Sequence, residues 1–351
     1  VVDGVIRGDE REAKPVVARL QRVVEVDGDE TYVDFQQVEA RSIVSTPLIN
    51  VDMSVNGQQS YTAHLGDTLT YTIAFRNDST FDLAGAKLTA KLEGSMFETA
   101  TVNTSGFFDS RTNTITWDAS SVPALANLRA NQSGQVTFGV GLRDNFTGGS
   151  LGTQNSVVRT VATMDASNLA NALGIDQVEA TDELITRIST APSFQQVVTR
   201  GDSQFGSLGP FPPVVDEATT YTVKWALINP ANKLSPVTVT ATLAPGVEWT
   251  GSVRVNGAFV VPSYNSVKRQ VTWSLSNVQG GTGVDTPYEV YFQVSATPSV
   301  NQIGDELQLL NGTSFNATDS FTGETISSSI QDTSSRDVVD GGNEKDVQSA
   351  Q

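Results

Sequence analysis

A chain of 351 residues is long enough for two or three domains with cores of their own. Its 39 acidic against 22 basic side chains give a net charge of −17, which leaves no basic face for nucleic-acid phosphates or an anionic membrane surface. The absence of cysteine excludes disulfides, thiolate nucleophiles and Cys-based zinc or iron–sulfur sites, and no apolar run reaches the length of a membrane span.

The chain starts at Val1 with neither an initiator methionine nor a signal peptide, so it is expected to begin inside a longer precursor. Residues 1–34 carry strand-like runs at Val16–Leu20 and Val23–Val26 and an acidic turn at Asp27–Glu30. Residues 1–35 are too short for a sandwich. They are expected to be the end of a preceding repeat, or strands that join the first domain.

Residues 36–166 form the first expected domain. Asn56-Gly57 is a strong tight-turn signal. In residues 66–92, Leu69, Tyr71, Ile73 and Phe75 alternate with Thr70, Thr72, Ala74 and Arg76, and Ala86, Leu88, Ala90 and Leu92 alternate with polar residues. That is the period of strands with one buried face. Thr114–Trp117 and the run of Val136, Phe138, Val140 and Leu142 add further strands.

Residues 167–177 are expected to be a linker with one helical turn, and residues 178–335 a second domain that repeats the first. Tyr71 maps to Tyr221, Trp117 to Trp273 and Phe138 to Phe292 at offsets of 150, 156 and 154. A near-constant offset over three strands indicates a tandem duplication with loop insertions. The proline-rich loop Phe205–Pro213 has no counterpart in the first copy. Residues 336–351 read as a polar tail, frayed from Gly341 onward. The fold class is all-β: tandem Ig-like antiparallel β-sandwiches.

These residues carry a resemblance. GDTLTYTI…RN, AKLTAKLEG, GFFDSRTNTITWD and SGQVTFGVGL resemble the conserved-repeat Ig-like domain of bacterial and archaeal cell-surface proteins. YTVKWALIN, APGVEWTG, VTWSL and NGTSFNATDSFTG in the second copy are similar to a companion repeat in large exported proteins of candidate-phylum bacteria. The resemblance covers about Val38–Ser335 and implies secretion, a β-sandwich and a place in the cell envelope. It implies no active site.

Candidate chemistry is sparse. His64 is the only histidine and reads as a solvated loop residue, with no nucleophile elbow to accompany it. The acids fall at turns and on outward strand positions, where a solvated face outweighs a catalytic carboxylate pair. Calcium is the one plausible ion: Asp27, Asp29, Glu30 and Asp34 offer hard oxygen ligands at a turn, as do Asp337, Asp340, Asn343, Glu344 and Asp346 near the carboxyl end. Neither group has EF-hand spacing. An intramolecular isopeptide bond needs a buried lysine, and Lys87, Lys91 and Lys224 take the outward phase of their strands. Sequons at Asn77, Asn103, Asn131, Asn145, Asn311 and Asn316 fall in turns or on polar faces and could carry glycans. Trp117, Trp273, Tyr71 and Tyr221 repeat in phase, as core residues do.

The function expected is that of a non-enzymatic, extracellular structural component of a microbial cell surface. It would self-associate with copies of itself or with other envelope proteins, with unpaired strands in residues 1–34 completed by a neighbouring subunit. The alternative is an adhesin that reads a glycan or a host-surface protein through its loops.

Overall fold

The computed structural model describes residues 13–26, 29–43, 47–146, 154–166 and 178–350. The linker expected at 167–177 lies outside them. The protein is all-β: a two-stranded ribbon followed by two antiparallel sandwiches.

The ribbon pairs β1 (Ala13–Val26) with β2 (Asp29–Ile43). The first sandwich contains β3 (Ile49–Val55), β4 (Thr62–Ala63), β5 (Thr68–Asn77), β6 (Leu83–Ala84), β7 (Lys87–Glu93), β8 (Phe97–Thr104), β9 (Phe107–Asp109), β10 (Thr114–Trp117), β11 (Asn127–Leu128), β12 (Ser133–Leu142), β13 (Val157–Asp165) and β14 (Glu179–Ile188). The second contains β15 (Ser193–Thr199), β16 (Thr219–Ile228), β17 (Leu234–Leu243), β18 (Val247–Asn256), β19 (Ser263–Asn265), β20 (Gln270–Leu275), β21 (Glu289–Ala296), β22 (Gln308–Asp319), β23 (Thr325–Ile330) and β24 (Thr333–Ser334).

Alternation builds the cores. β5 buries Leu69, Tyr71, Ile73 and Phe75 and leaves Thr68, Thr70, Ala74 and Arg76 outside, so its sheet has one dry face. Tyr71 stacks on Phe138 at 4.9 Å, with Trp117 beside Phe138 at 5.8 Å. In the second core Trp225 meets Phe292 edge-on at 4.9 Å. Asn56 and Gly57 both take positive φ (48° and 77°), as the hairpin from β3 requires.

Strand order is the same in both sandwiches. One sheet runs β3-β5-β12-β8 in the first and β15-β16-β21-β18 in the second; the other runs β14-β13-β7-β10-β9 and β23-β22-β17-β20-β19. Ladder partners refine the correspondence. Tyr71 lies opposite Phe138, but the residue opposite Phe292 is Val223, not Tyr221. Tyr71 therefore corresponds to Val223, two positions beyond Tyr221.

Two expected boundaries move. Glu179–Ile188, expected to open the second domain, pairs along its whole length with β13 and is the last strand of the first sandwich, as β23 is of the second. The carboxyl-terminal segment is docked, not frayed. Val338 and Val347 are buried, Val338 bridges Val198, and Gln348 bridges Val214. The Lys345 ammonium donates to the carbonyls of Arg336 and Val338 at 3.0 and 2.6 Å.

The loop at 205–213 covers the outer face of β16, whose residues Thr219–Val223 are buried on both sides. The Arg200 guanidinium donates to the carbonyls of Leu208, Gly209 and Thr220 and lies over the Phe211 ring. Gly209 sits at φ +76° with an ideal Cβ 2.0 Å from the Ala218 carbonyl oxygen, so only glycine fits this approach.

Candidate functional site

Among the described residues, the ribbon stands outside both sandwich cores. Register places Val16 opposite Ala40 and Ala18 opposite Val38, and Leu20 shares their face. The other face carries Val17, Arg19, Gln37 and Glu39. Exposed apolar side chains stand on both faces: Val16, Leu20 and Val38 are 54%, 63% and 57% exposed on the first and Val17 40% on the second, and Tyr32 and Phe35 are exposed as well. Among the described residues, none of the ribbon's belongs to either hydrophobic core. An isolated two-stranded ribbon is marginal in water, and fully burying a Val or Leu side chain is worth about 1.5–3 kcal/mol.

A second feature joins the sandwiches. Asp319, at the end of β22, is fully buried. Its Oδ2 accepts from the Thr190 N–H (2.8 Å), the Asn232 side-chain amide (2.8 Å) and the Ser189 hydroxyl (3.3 Å). Its Oδ1 accepts from the backbone N–H groups of Phe321 (2.8 Å) and Thr322 (3.2 Å). Asn232 also donates to the Ile188 carbonyl and accepts from the Asn155 N–H, both at 2.8 Å. The exit of β14 is therefore clamped to the β16–β17 and β22–β23 turns. At the rim, His64 Nε2 lies 2.8 Å from Glu324 Oε1, and the Arg187 guanidinium sits 5.3 Å from the Phe321 ring centre. His64, expected to be a solvated loop residue, is a half-exposed contact between the sandwiches.

A third polar group lies on the outer face of the second sandwich. Asp202 pairs with Arg254 at 2.6 Å, and Arg254 stacks 3.4 Å above the Tyr291 ring centre. Burial pushes the Asp202 carboxyl up, but Arg254 and the N–H groups of Gln204 and Phe205 outweigh it and hold the acid below the ordinary range. Next to it, Lys224 and Asn256 both reach Glu289, at 3.4 and 3.0 Å. Burial raises the Glu289 carboxyl, while the Tyr291 and Asn256 hydrogen bonds and the Lys224 charge lower it further than that. An ionised Glu289 fits an ion pair.

The remaining sequence candidates fall as follows. Asp27 lies outside the described residues; Asp29 and Glu30 open β2; the Asp34 carboxylate accepts from Gln21 Nε2 at 2.7 Å. Near the carboxyl end, Asp337 caps Ser334 (2.8 Å), Asp340 accepts from the Arg200 N–H (2.6 Å), and Asp346 pairs with Arg336 (2.7 Å). Three of that acidic group thus serve as caps and ion pairs. Among the described residues no group of three or more His, Asp or Glu is placed to hold a metal.

Asn77 is fully buried, donating to the carbonyls of Phe81 and Leu128 at 2.7 and 3.0 Å, which removes it as a glycan acceptor. Its counterpart Asn229 does the same in the second sandwich, donating to Asn232, Val278 and Gln279. Asn103, Asn131, Asn145, Asn311 and Asn316 are exposed. A groove of about 690 Å³ lies over β5, β12 and β8 and is lined by Thr68, Thr70, Thr101, Asn103 and Thr137 among others.

No family model and no curated protein matches this chain. Similar solved structures include the C-terminal domain of the Streptococcus pyogenes antigen I/II-family protein AspA, at 9% identity and TM-score 0.33, covering 82% of this chain and all of that one. A structure described as BspA_C_mut matches at 9% identity and TM-score 0.29, over 81% of this chain and 98% of its own. The full-length major pilin SpaD from Corynebacterium diphtheriae matches at 12% identity and TM-score 0.30, over 72% of this chain and 59% of its own. With each of these TM-scores below 0.5, strand pairing defines the fold, not these superpositions.

Proposed function

We propose that the protein is a non-enzymatic structural component of a microbial cell surface, a rod of β-sandwich spacers that self-associates through its amino-terminal ribbon. The observation that carries the reading is the ribbon, whose Val16, Leu20, Phe35 and Val38 side chains stand exposed and, among the described residues, belong to neither core. Sheet edges and uncovered strand pairs are where β-proteins recruit further chains. The clamp at Asp319 supports a spacer role, because it fixes the direction in which one sandwich leads into the next. Calcium at Asp27, Asp29, Glu30 and Asp34 belongs to the proposal as a stiffener of the ribbon turn.

Deletion of residues 1–43 tests it. The full chain should form filaments or sheets in electron micrographs. The deletion should give isolated two-bead particles whose thermal transitions match those of the full chain. Assembly that survives the deletion would contradict the proposal. Loss of order in chelator assigns the acidic turn to calcium.

A second reading, an adhesin for glycans, draws on the groove over β5, β12 and β8, where hydroxyls and the Asn103 amide line an open polar surface. Binding to a glycan array by a strictly monomeric chain would favour it.

A further inference from the structure

The two sandwiches present the same outer surface on the sheet that holds β5 in one and β16 in the other. With Tyr71 matched to Val223 and Phe138 to Phe292, Thr68 and Thr70 of β5 stand where β16 has Thr220 and Thr222. Gly141 and Gly139 of β12 stand where β21 has Ser295 and Gln293. Gly141 pairs with Glu98 as Ser295 pairs with Glu248, and β8 and β18 both shift register just beyond.

On the second sandwich, residues 206–210 lie over this surface. The Thr220 N–H donates to the Leu208 carbonyl (3.1 Å), and the Leu208 N–H donates to the Thr220 hydroxyl (2.8 Å). The Gln293 side-chain amide donates to the Gly206 carbonyl (3.3 Å) and the Thr219 hydroxyl to the Pro210 carbonyl (2.9 Å). With this segment in place Thr219, Thr220, Thr222 and Gln293 are buried. Each of these bonds ends on the main chain of the loop, so the surface reads backbone, not side chains. Close approach needs glycine: Gly206 and Gly209 take positive φ, and Gly209 sits against Ala218.

On the first sandwich, Thr68 and Thr70 are exposed and line, with Gly66, Gly139 and Gly141, the groove of about 690 Å³. Ligand pockets run from about 300 to 1,000 Å³. Gly66 holds the position of Ala218, and Gly139 leaves open space where the second sandwich has the Gln293 side chain. Thr101 fixes the wall, accepting from the Gly141 N–H and donating to the Glu98 carbonyl, both at 2.7 Å. The first copy thus keeps the hydroxyls that hold a main chain and drops the side chains that would crowd one. We propose that this groove binds a glycine-rich peptide segment of a partner protein, main chain first, as residues 206–210 bind on the second sandwich. The Thr68 and Thr70 hydroxyls and the Asn103 amide are the groups that would meet its N–H and C=O groups. The inference stands apart from the ribbon, and it gives the groove a peptide where the second reading has a sugar.

The probe is a fluorescent peptide of sequence Gln-Phe-Gly-Ser-Leu-Gly-Pro, that of residues 204–210, titrated with the full chain and followed by anisotropy. Saturable one-to-one binding is the expected result. Gly139→Phe fills the open floor of the groove and should weaken binding by about ten-fold or more. Thr70→Arg, at an exposed position on the same surface, should do likewise, and it decides the matter if Gly139→Phe lowers the melting temperature. Ser327→Lys, on the opposite sheet of the second sandwich, should bind as the wild type does. No saturable binding, or wild-type affinity in both Gly139→Phe and Thr70→Arg, overturns the proposal. A neutral glycan that binds the wild type but not Gly139→Phe, with the peptide silent, overturns it in favour of the sugar.

Discussion

Asp319 satisfies five donors with two oxygens in a site closed to solvent. Its truncation leaves buried donors unpaired, so Asp319→Ala should cost about 3 kcal/mol in urea unfolding of the second sandwich. The same change should broaden the distribution of sandwich–sandwich angles in small-angle scattering. Nothing near Asp319 in sequence announces this role. It reads as a turn acid, and the donor that matters most at the joint, the Thr190 N–H, lies 129 positions away. Core aromatics such as Trp117 and Phe138 were legible because alternation depends only on neighbours. The buried amide of Asn77 was not, because its partner Leu128 is 51 positions downstream.

Asp202 gives a pH prediction with a defined sign. Its carboxyl titrates below its ordinary value of 3.8 in the folded chain. The stability it contributes is therefore complete above that value and is lost as pH falls through the lower, folded one. Asp202→Asn should destabilise the second sandwich by roughly 1–3 kcal/mol at neutral pH. As pH falls through and below that ordinary value, the wild-type melting temperature should fall toward that of the variant. Parallel melting curves over that range would contradict the ion pair.

At the scale of elements, the strands and the Asn56-Gly57 turn follow from sequence, while membership in a sheet does not. Glu179–Ile188 alternates as any half-buried strand does, and only its ladder with β13 assigns it to the first sandwich. The sequence of the carboxyl-terminal segment predicts fraying because its charges dominate its composition. Two valines, Val338 and Val347, decide otherwise by docking where the 205–213 loop and β15 leave apolar surface. Val338→Ala should therefore lower the stability of the second sandwich by roughly 1–3 kcal/mol and leave the first unchanged, as two-probe thermal unfolding would report.

At the scale of the molecule, identical strand order in two sandwiches and a third strand pair ahead of them describe a repeating unit that hands the chain from one sandwich to the next. The Asp319 clamp makes the two described sandwiches a stiff spacer. In the proposed function the ribbon is that spacer's adhesive end. The most direct measurement is electron microscopy of the full chain beside the chain lacking residues 1–43, at matched concentration. Ordered filaments or sheets from the full chain and isolated two-bead particles from the shortened one are the expected result. Equal assembly by both, or isolated particles from both, would contradict the account.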